Sequence, residues 1–418
     1  MKTMLTRSPG IWVGLLASFA LLGIHVAPSA DAGGSKKEPE PVRKITNTRW
    51  VSESNTEFAF DLYAEIGKAP GNLFFSPYSI SSALAMTLAG ARGQTATEME
   101  RVLHLERDDV HQAFGDLRET LASRSDSGPE LAIASRLWGQ QGLPWEKAFL
   151  EVCREHYGAG LAEVDFETDV EGARKEINAW CAKETHDKIQ NLLASGTIDP
   201  STGLVLTNAI YFKGAWVHRF EESMTQVGPF LLSGGSEVQV PLMRKTETYG
   251  YYETDDLQAL EMSYAGNEIS MVVLLPKSKD GLDDLEQGLD AKRLGAAIDG
   301  LRERTVQVTF PRFQLTSQFS LASTLQQMGM ETPFGRGADF SGMCAEPQFI
   351  GAVVHKAFVD VNEEGTEAAA ATAVVMTRST SVPVQPPRFI ADHPFVFCIR
   401  DKATGSVLFL GRMADPRG

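Results

Sequence analysis

The alternation of apolar and polar positions predicts strands along much of the chain. In residues 204–213 the even positions are Leu204, Leu206, Asn208, Ile210 and Phe212, a period of two. In residues 353–361 the odd positions are Val353, His355, Ala357, Val359 and Val361, again a strand with one buried face. Shorter strands are predicted over 72–75, 130–139, 306–313, 395–400 and 407–413, and several with polar turns over 237–276. Helical spacing takes over elsewhere. It predicts helices over 56–67, 145–157, 282–301 and 321–328, one or two over 99–123, and one long amphipathic helix over 169–193. In residues 76–89, Ser76 is a good N-cap, Pro77 fits the first helical position, and Gly90 and Gly93 close the helix.

Two residues break this pattern. Asn208 and His355 are polar on otherwise apolar faces. A buried polar group without a partner costs about 1–3 kcal/mol. A hydrogen bond between them, across two strands of one sheet, would satisfy both. A catalytic histidine is the sharper alternative; a satisfied core histidine is the simpler one.

The stretch after residue 361 is unusual. Glu363, Glu364 and Gly365 end the strand, because Gly permits positive φ. Thr366, Glu367 and four alanines follow, Ala368 to Ala371. Even positions from Thr366 to Met376 carry no charge, so the segment reads as a loop and also as a strand that small residues could slide between two others. An Ala-rich helix is the competing reading. Arg378, Ser379 and Thr380 are polar, and Pro383, Pro386 and Pro387 resist helix and central strand alike.

The run Glu363, Glu364, Gly365, Thr366, Glu367, Ala368, Ala369, Ala370 resembles the hinge pattern of the serpin family, the serine protease inhibitors. The segments around Ser76 and Ser79, Gly214-Ala215-Trp216, 339–343 and 392–395 resemble the same family, so the likeness spans about residues 50–416. The resemblance implies an α+β fold with three β-sheets, about nine helices and an exposed mobile reactive loop over about 363–387. It also implies a sheet-opening cluster of Ser76, Ser79, Asn208 and His355, with Trp216 where the loop enters. No catalytic residue, cofactor or metal is implied, and the protein is expected to be a monomer.

Composition narrows the partners. A net charge of −15 argues against nucleic acid and anionic membranes. The arginines of residues 101–124 are diluted by acids, so no heparin-type activator is expected. Residues 1–32 read as a signal peptide, with an uncleaved anchor as the alternative, and 33–48 as a flexible linker before a domain over 49–418. A secreted, extracellular or, in a bacterium, periplasmic protein is expected. Cys153, Cys181, Cys344 and Cys398 lie among apolar neighbours and read as buried thiols.

The resemblance implies a suicide substrate for a serine protease, with a cysteine protease also open. Counting fourteen residues from Gly365 puts the cut between Ser379 and Thr380, which suits an elastase- or subtilisin-like enzyme. The bond between Arg378 and Ser379 suits a trypsin-like one. A non-inhibitory carrier or chaperone of the same fold and a secreted hydrolase are the rivals. No Gly-x-Ser-x-Gly, phosphate loop or His-Glu-x-x-His supports an enzyme.

Overall fold

Two long apolar runs, β4 (Leu204–Ala215) and β11 (Ile350–Val361), lie side by side and parallel, His355 level with Asn208. The computed structural model describes residues 41–123, 129–366 and 385–418. The expected signal peptide lies outside them, as do Glu367, Ala368, Ala369, Ala370, Arg378, Ser379 and Thr380.

The first part of the chain is mostly helical. It comprises α1 (Pro41–Ile66), β1 (Leu73–Phe75), α2 (Pro77–Leu88), α3 (Gly93–Val102) and α4 (Val110–Ala122). Then follow β2 (Glu130–Gln140), α5 (Lys147–Tyr157), β3 (Leu161–Val164), α6 (Val170–Glu184) and β4. A strand-rich stretch holds β5 (Gln226–Leu231), β6 (Glu237–Glu253), β7 (Leu257–Ser263) and β8 (Ile269–Pro276). After α7 (Leu282–Gln287) and α8 (Ala291–Gly300) come β9 (Arg302–Pro311), β10 (Phe313–Ser320), α9 (Ala322–Gln327) and β11. The chain ends with β12 (Gly365–Thr366), β13 (Arg388–Ile390), β14 (Phe395–Asp401) and β15 (Val407–Met413).

Among the described residues the strands form two hydrogen-bonded sheets. One has six strands in the order β10-β11-β12-β4-β2-β3, with β11 also paired to β4. The other runs β1-β15-β14-β8-β7-β6-β9-β13, with β5 on β6. The long strand β6 pairs β5 and β9 early and β7 at its end, so two of the three expected sheets are continuous through it.

Side chains alternate along β4 and β11, but both faces are apolar, where alternation alone had suggested one buried face. Leu204, Leu206, Ile210, Phe212, Val353, Ala357 and Val359 point into the large core between the sheets. Val205, Ala209, Tyr211, Val354 and Phe358 point the other way, into a second core under α6. The site strands are therefore buried on both sides.

Local chemistry accounts for the main departures from expectation. The helix expected over 169–193 stops at Glu184, where Thr185 Oγ1 bonds back to Cys181 O at 2.8 Å. His186, Asp187 and Asn191 then take positive φ, yet Ile189, Leu192 and Leu193 still reach the second core. The helix expected over 282–301 is two, because Asp290 caps a new one by accepting from Arg293 N. Gly93 opens α3 rather than ending α2. The linker expected over 33–48 gives way to α1 from Pro41 onward. All four cysteines are buried and free.

Candidate functional site

The local sequence at the start of α2 sets up the first half of the site. Ser76 caps the helix by accepting from Ser79 N at 3.2 Å, and its own Oγ donates to Leu408 O at 2.6 Å. That leaves the Ser76 backbone N–H free to donate to His355 Nε2 at 3.1 Å. The other ring nitrogen, Nδ1, meets Asn208 Oδ1 at 2.6 Å. Asn208 Nδ2 donates to Ser79 Oγ at 2.5 Å and to Ser135 Oγ at 2.6 Å, and the two hydroxyls are 3.1 Å apart. One tautomer, protonated on Nδ1, satisfies His355 completely. Burial pushes its pKa down to about 3, and the Ser76 N–H aimed at Nε2 opposes a second proton. The imidazole is thus a neutral structural clasp between β11, β4, β2 and α2.

The second half is the point where β4 and β11 part. Their pairing ends at Tyr211 with Phe358, and β12 fills the gap beyond. Gly365 is level with Ala215, and Thr366 pairs with Gly214 on one side and Val361 on the other. A tight turn makes this possible: Asn362 N donates to Gly365 O at 2.8 Å, and Gly365 takes φ +145°. A Cβ at Gly365 would meet Gly214 O at 2.1 Å, so only glycine fits.

The turn is held from both flanks. Trp216 N donates to Glu364 O at 2.8 Å, Trp216 Nε1 to Asn362 O at 3.1 Å, and Phe220 N to Glu363 O at 2.8 Å. The buried Glu363 carboxylate accepts from Thr225 Oγ1 at 2.7 Å and faces Arg312 at 3.8 Å. Trp216 stacks on Tyr264 with centroids 4.4 Å apart, and the buried Tyr264 hydroxyl lies 3.1 Å from Thr366 Oγ1. The loop begins as a two-residue wedge already driven between two strands.

The sequence comparisons match this geometry. A family model described as Serpin (serine protease inhibitor) matches residues 53–416. The chain is a serpin. It is 42% identical over 378 residues to a leukocyte elastase inhibitor of Sus scrofa, covering 88% of this chain and 99% of that one. It is 41% identical over 371 residues to an uncharacterized serpin-like protein of Thermococcus kodakarensis, covering 88% of this chain and 86% of that one. Among solved structures, uncleaved ovalbumin is 30% identical with a TM-score of 0.79, covering 88% of this chain and 100% of that one. Serpin48 of Tenebrio molitor is 32% identical with a TM-score of 0.77, covering 90% and 100%. This serpin therefore has the expected α+β fold and belongs among protease inhibitors, not enzymes.

The export expectation is corrected by the same relatives. The leukocyte elastase inhibitors of Sus scrofa, Bos taurus and Homo sapiens are each matched over 99% of their length by 88% of this chain. The family match begins at residue 53, and the stretch that carried the export reading, 1–32, lies ahead of it. The secreted, extracellular or periplasmic placement therefore does not stand.

Ser76, Ser79, Asn208 and His355 come together in this serpin, and Trp216 meets the hinge at Glu364. Ser135 and Tyr264 are among the participants that had not been foreseen. Ser135 shares the inward face of β2 with Leu131 and Leu137, the same polar-on-apolar signal that exposed Asn208. Tyr264 carries no such signal; only the tertiary fold brings it onto Trp216 and Thr366.

Proposed function

We propose that this serpin inhibits a serine protease as a suicide substrate, acting as a monomer. The protease serine attacks a loop carbonyl. An ester forms, the peptide C–N bond breaks, and the new N-terminal amine leaves with the C-terminal fragment. The freed loop then extends the β12 wedge down between β4 and β11. About 14 residues at about 3.3 Å each would carry the attached enzyme on the order of 45 Å. Insertion satisfies backbone donors and acceptors along a new central strand. The uninserted form must then be held by a kinetic barrier.

The observation that carries this reading is the position of Gly365 and Thr366 between the two parted strands. It supports insertion as continuation of an arrangement already begun. The small residues after it support rapid passage. Two bonds compete for cleavage. The names of the elastase-inhibitor relatives support the bond between Ser379 and Thr380; a cut between Arg378 and Ser379 would instead serve a trypsin-like enzyme.

Mixing the protein with trypsin, and separately with an elastase, tests both points. An SDS-stable complex with either supports the trap, and the mass of the released fragment identifies the bond. Clean cleavage by both enzymes without complex overturns the suicide mechanism for these target classes. It would favour the non-inhibitory alternative.

A further inference from the structure

The chain expected to be cut is tethered at both ends: it leaves β12 in one sheet and re-enters at β13 in the other. Both tethers sit near the junction of β9 and β10. Ile390 is level with Thr309, while Phe313 is level with Val361, the partner of Thr366. About 14 residues drawn on the order of 45 Å down the gap would leave about seven to climb back, a reach of only about 25 Å. An uncut loop can therefore fill the sheet only if β13 comes away.

The hold on β13 is short. Its residues, Arg388–Ile390, pair with β9 at the end of the sheet. Pro387 O accepts from Gln307 N at 2.9 Å, and Arg388 O from Gln258 Nε2 at 3.0 Å. The far end is tied by a turn: Ala391 N donates to Thr309 O at 2.9 Å and Leu231 N to Asp392 O at 2.8 Å. His393 closes that turn. Its buried ring places Nδ1 2.9 Å from Asp392 Oδ1 and Nε2 2.8 Å from Pro276 O at the end of β8. Both oxygens are acceptors. Only the doubly protonated imidazolium has an N–H for each; a neutral ring turns a lone pair toward one of them. Lys279 lies 2.9 Å from Asp392 Oδ2, and Arg244, Lys245 and Arg388 line the cleft that Asp392 also lines. Burial would raise the Asp392 carboxyl, yet hydrogen bonds from His393 and Lys279 hold it below the usual carboxylate range, so it stays an anion.

We propose that His393, as an imidazolium, is the lock on β13 and so a positioning residue for the C-terminal stalk of the loop. Loss of one ring proton breaks either the Asp392 or the Pro276 bond and leaves two acceptors face to face. The turn then loosens, and β13 is free to peel from β9. The lock holds in mild acid and fails as pH rises. This is opposite in sign to His355, whose neutral ring holds the sheet closed and whose contribution falls only below its ordinary pKa of 6.5. His393 thereby contributes to the kinetic barrier that keeps the uncut loop out of the sheet. That consequence rests on the insertion mechanism proposed above; the lock itself does not.

Hydrogen exchange of the full-length protein at pH 6.5 and pH 8.5, read as protection relative to an unstructured chain at the same pH, tests the lock. Protection of residues 388–392 should fall about tenfold across this window in the wild type. His393→Gln, which cannot titrate, should show low protection at both pH values. His393→Arg, a permanent cation with several donors, should show high protection at both. Equal wild-type protection at the two pH values overturns the proposal. So does an equal fall in His393→Gln, which would assign the response to another group. A second arm incubates uncut protein at each pH and then measures, at one common pH, its capacity to form an SDS-stable complex with elastase or trypsin. That capacity should decay about tenfold faster at pH 8.5 than at pH 6.5 in the wild type, and equally at both in the variants. Decay independent of pH, with the exchange response intact, overturns the coupling and leaves the lock. Should fresh protein form no complex at all, the trap fails while hydrogen exchange still judges the lock.

Discussion

His355 Nδ1 and Asn208 Oδ1 meet at 2.6 Å across a parallel strand pair, joining residues that are 147 positions apart. The contact closes the sheet at the place where a further strand would enter. Its consequences are measurable, as are those of the wedge above it.

Acid should loosen the clasp. The folded pKa of His355, about 3, lies below its ordinary value of 6.5. The unfolded chain therefore binds the extra proton between those values, and stability falls as pH drops through that window. At pH 5 the loss from this group is about 2 kcal/mol, at about 1.4 kcal/mol per pH unit below 6.5. Above pH 6.5 it contributes no slope. Urea unfolding at pH 7 and pH 5 should show a larger decline in the wild type than in His355→Gln. Equal declines would mean that the imidazole is not the responsive group.

Asn208→Ala removes one acceptor and two donated hydrogen bonds at once. It leaves His355 Nδ1 without its acceptor, and Ser79 and Ser135 without the amide donor. The expected cost is about 1–3 kcal/mol, read from the urea midpoint. A change under about 0.5 kcal/mol would show that water or neighbours replace the amide at no cost.

Thr366→Arg should convert inhibitor into substrate. Thr366 is fully buried beside the Tyr264 hydroxyl, and an arginine there must expel the wedge or bury an unpaired charge. Gel analysis with a complex-forming protease should show cleaved protein and little stable complex. Full trapping by this variant would rule out insertion through this gap.

Gly365→Val probes the same entrance through the backbone. At φ +145° a β-branched residue is strained, and its Cβ would overlap Gly214 O. Strain of about 1–3 kcal/mol should withdraw Gly365 and Thr366 from the sheet. Limited proteolysis after the turn should then be faster than in wild type, and formation of the stable complex slower. Unaltered rates of both would refute the requirement for glycine.

Much of this site was legible because strands alternate. Period two exposed Asn208 and His355 as polar residues on apolar faces, and satisfaction of buried polar groups made them partners. The same parity was available for Ser135 on β2, where it would have completed the cluster. Capping chemistry announced Ser76 and α2, and the glycine before the alanine run marked the hinge. The end of α6 was not legible: Ile189, Leu192 and Leu193 continue the apolar spacing, yet Thr185 and the positive φ values beyond it end the helix.

The sequence by itself determined which residues had to be buried, which of those needed a partner, and where the backbone could turn. Those are local properties: side-chain polarity, alternation and φ. The tertiary structure alone decided that β4 and β11 run parallel, that Gly365 and Thr366 sit in the gap between them, and that Tyr264 closes over Thr366. Such choices depend on contacts between segments more than a hundred residues apart, whose energies no local pattern records.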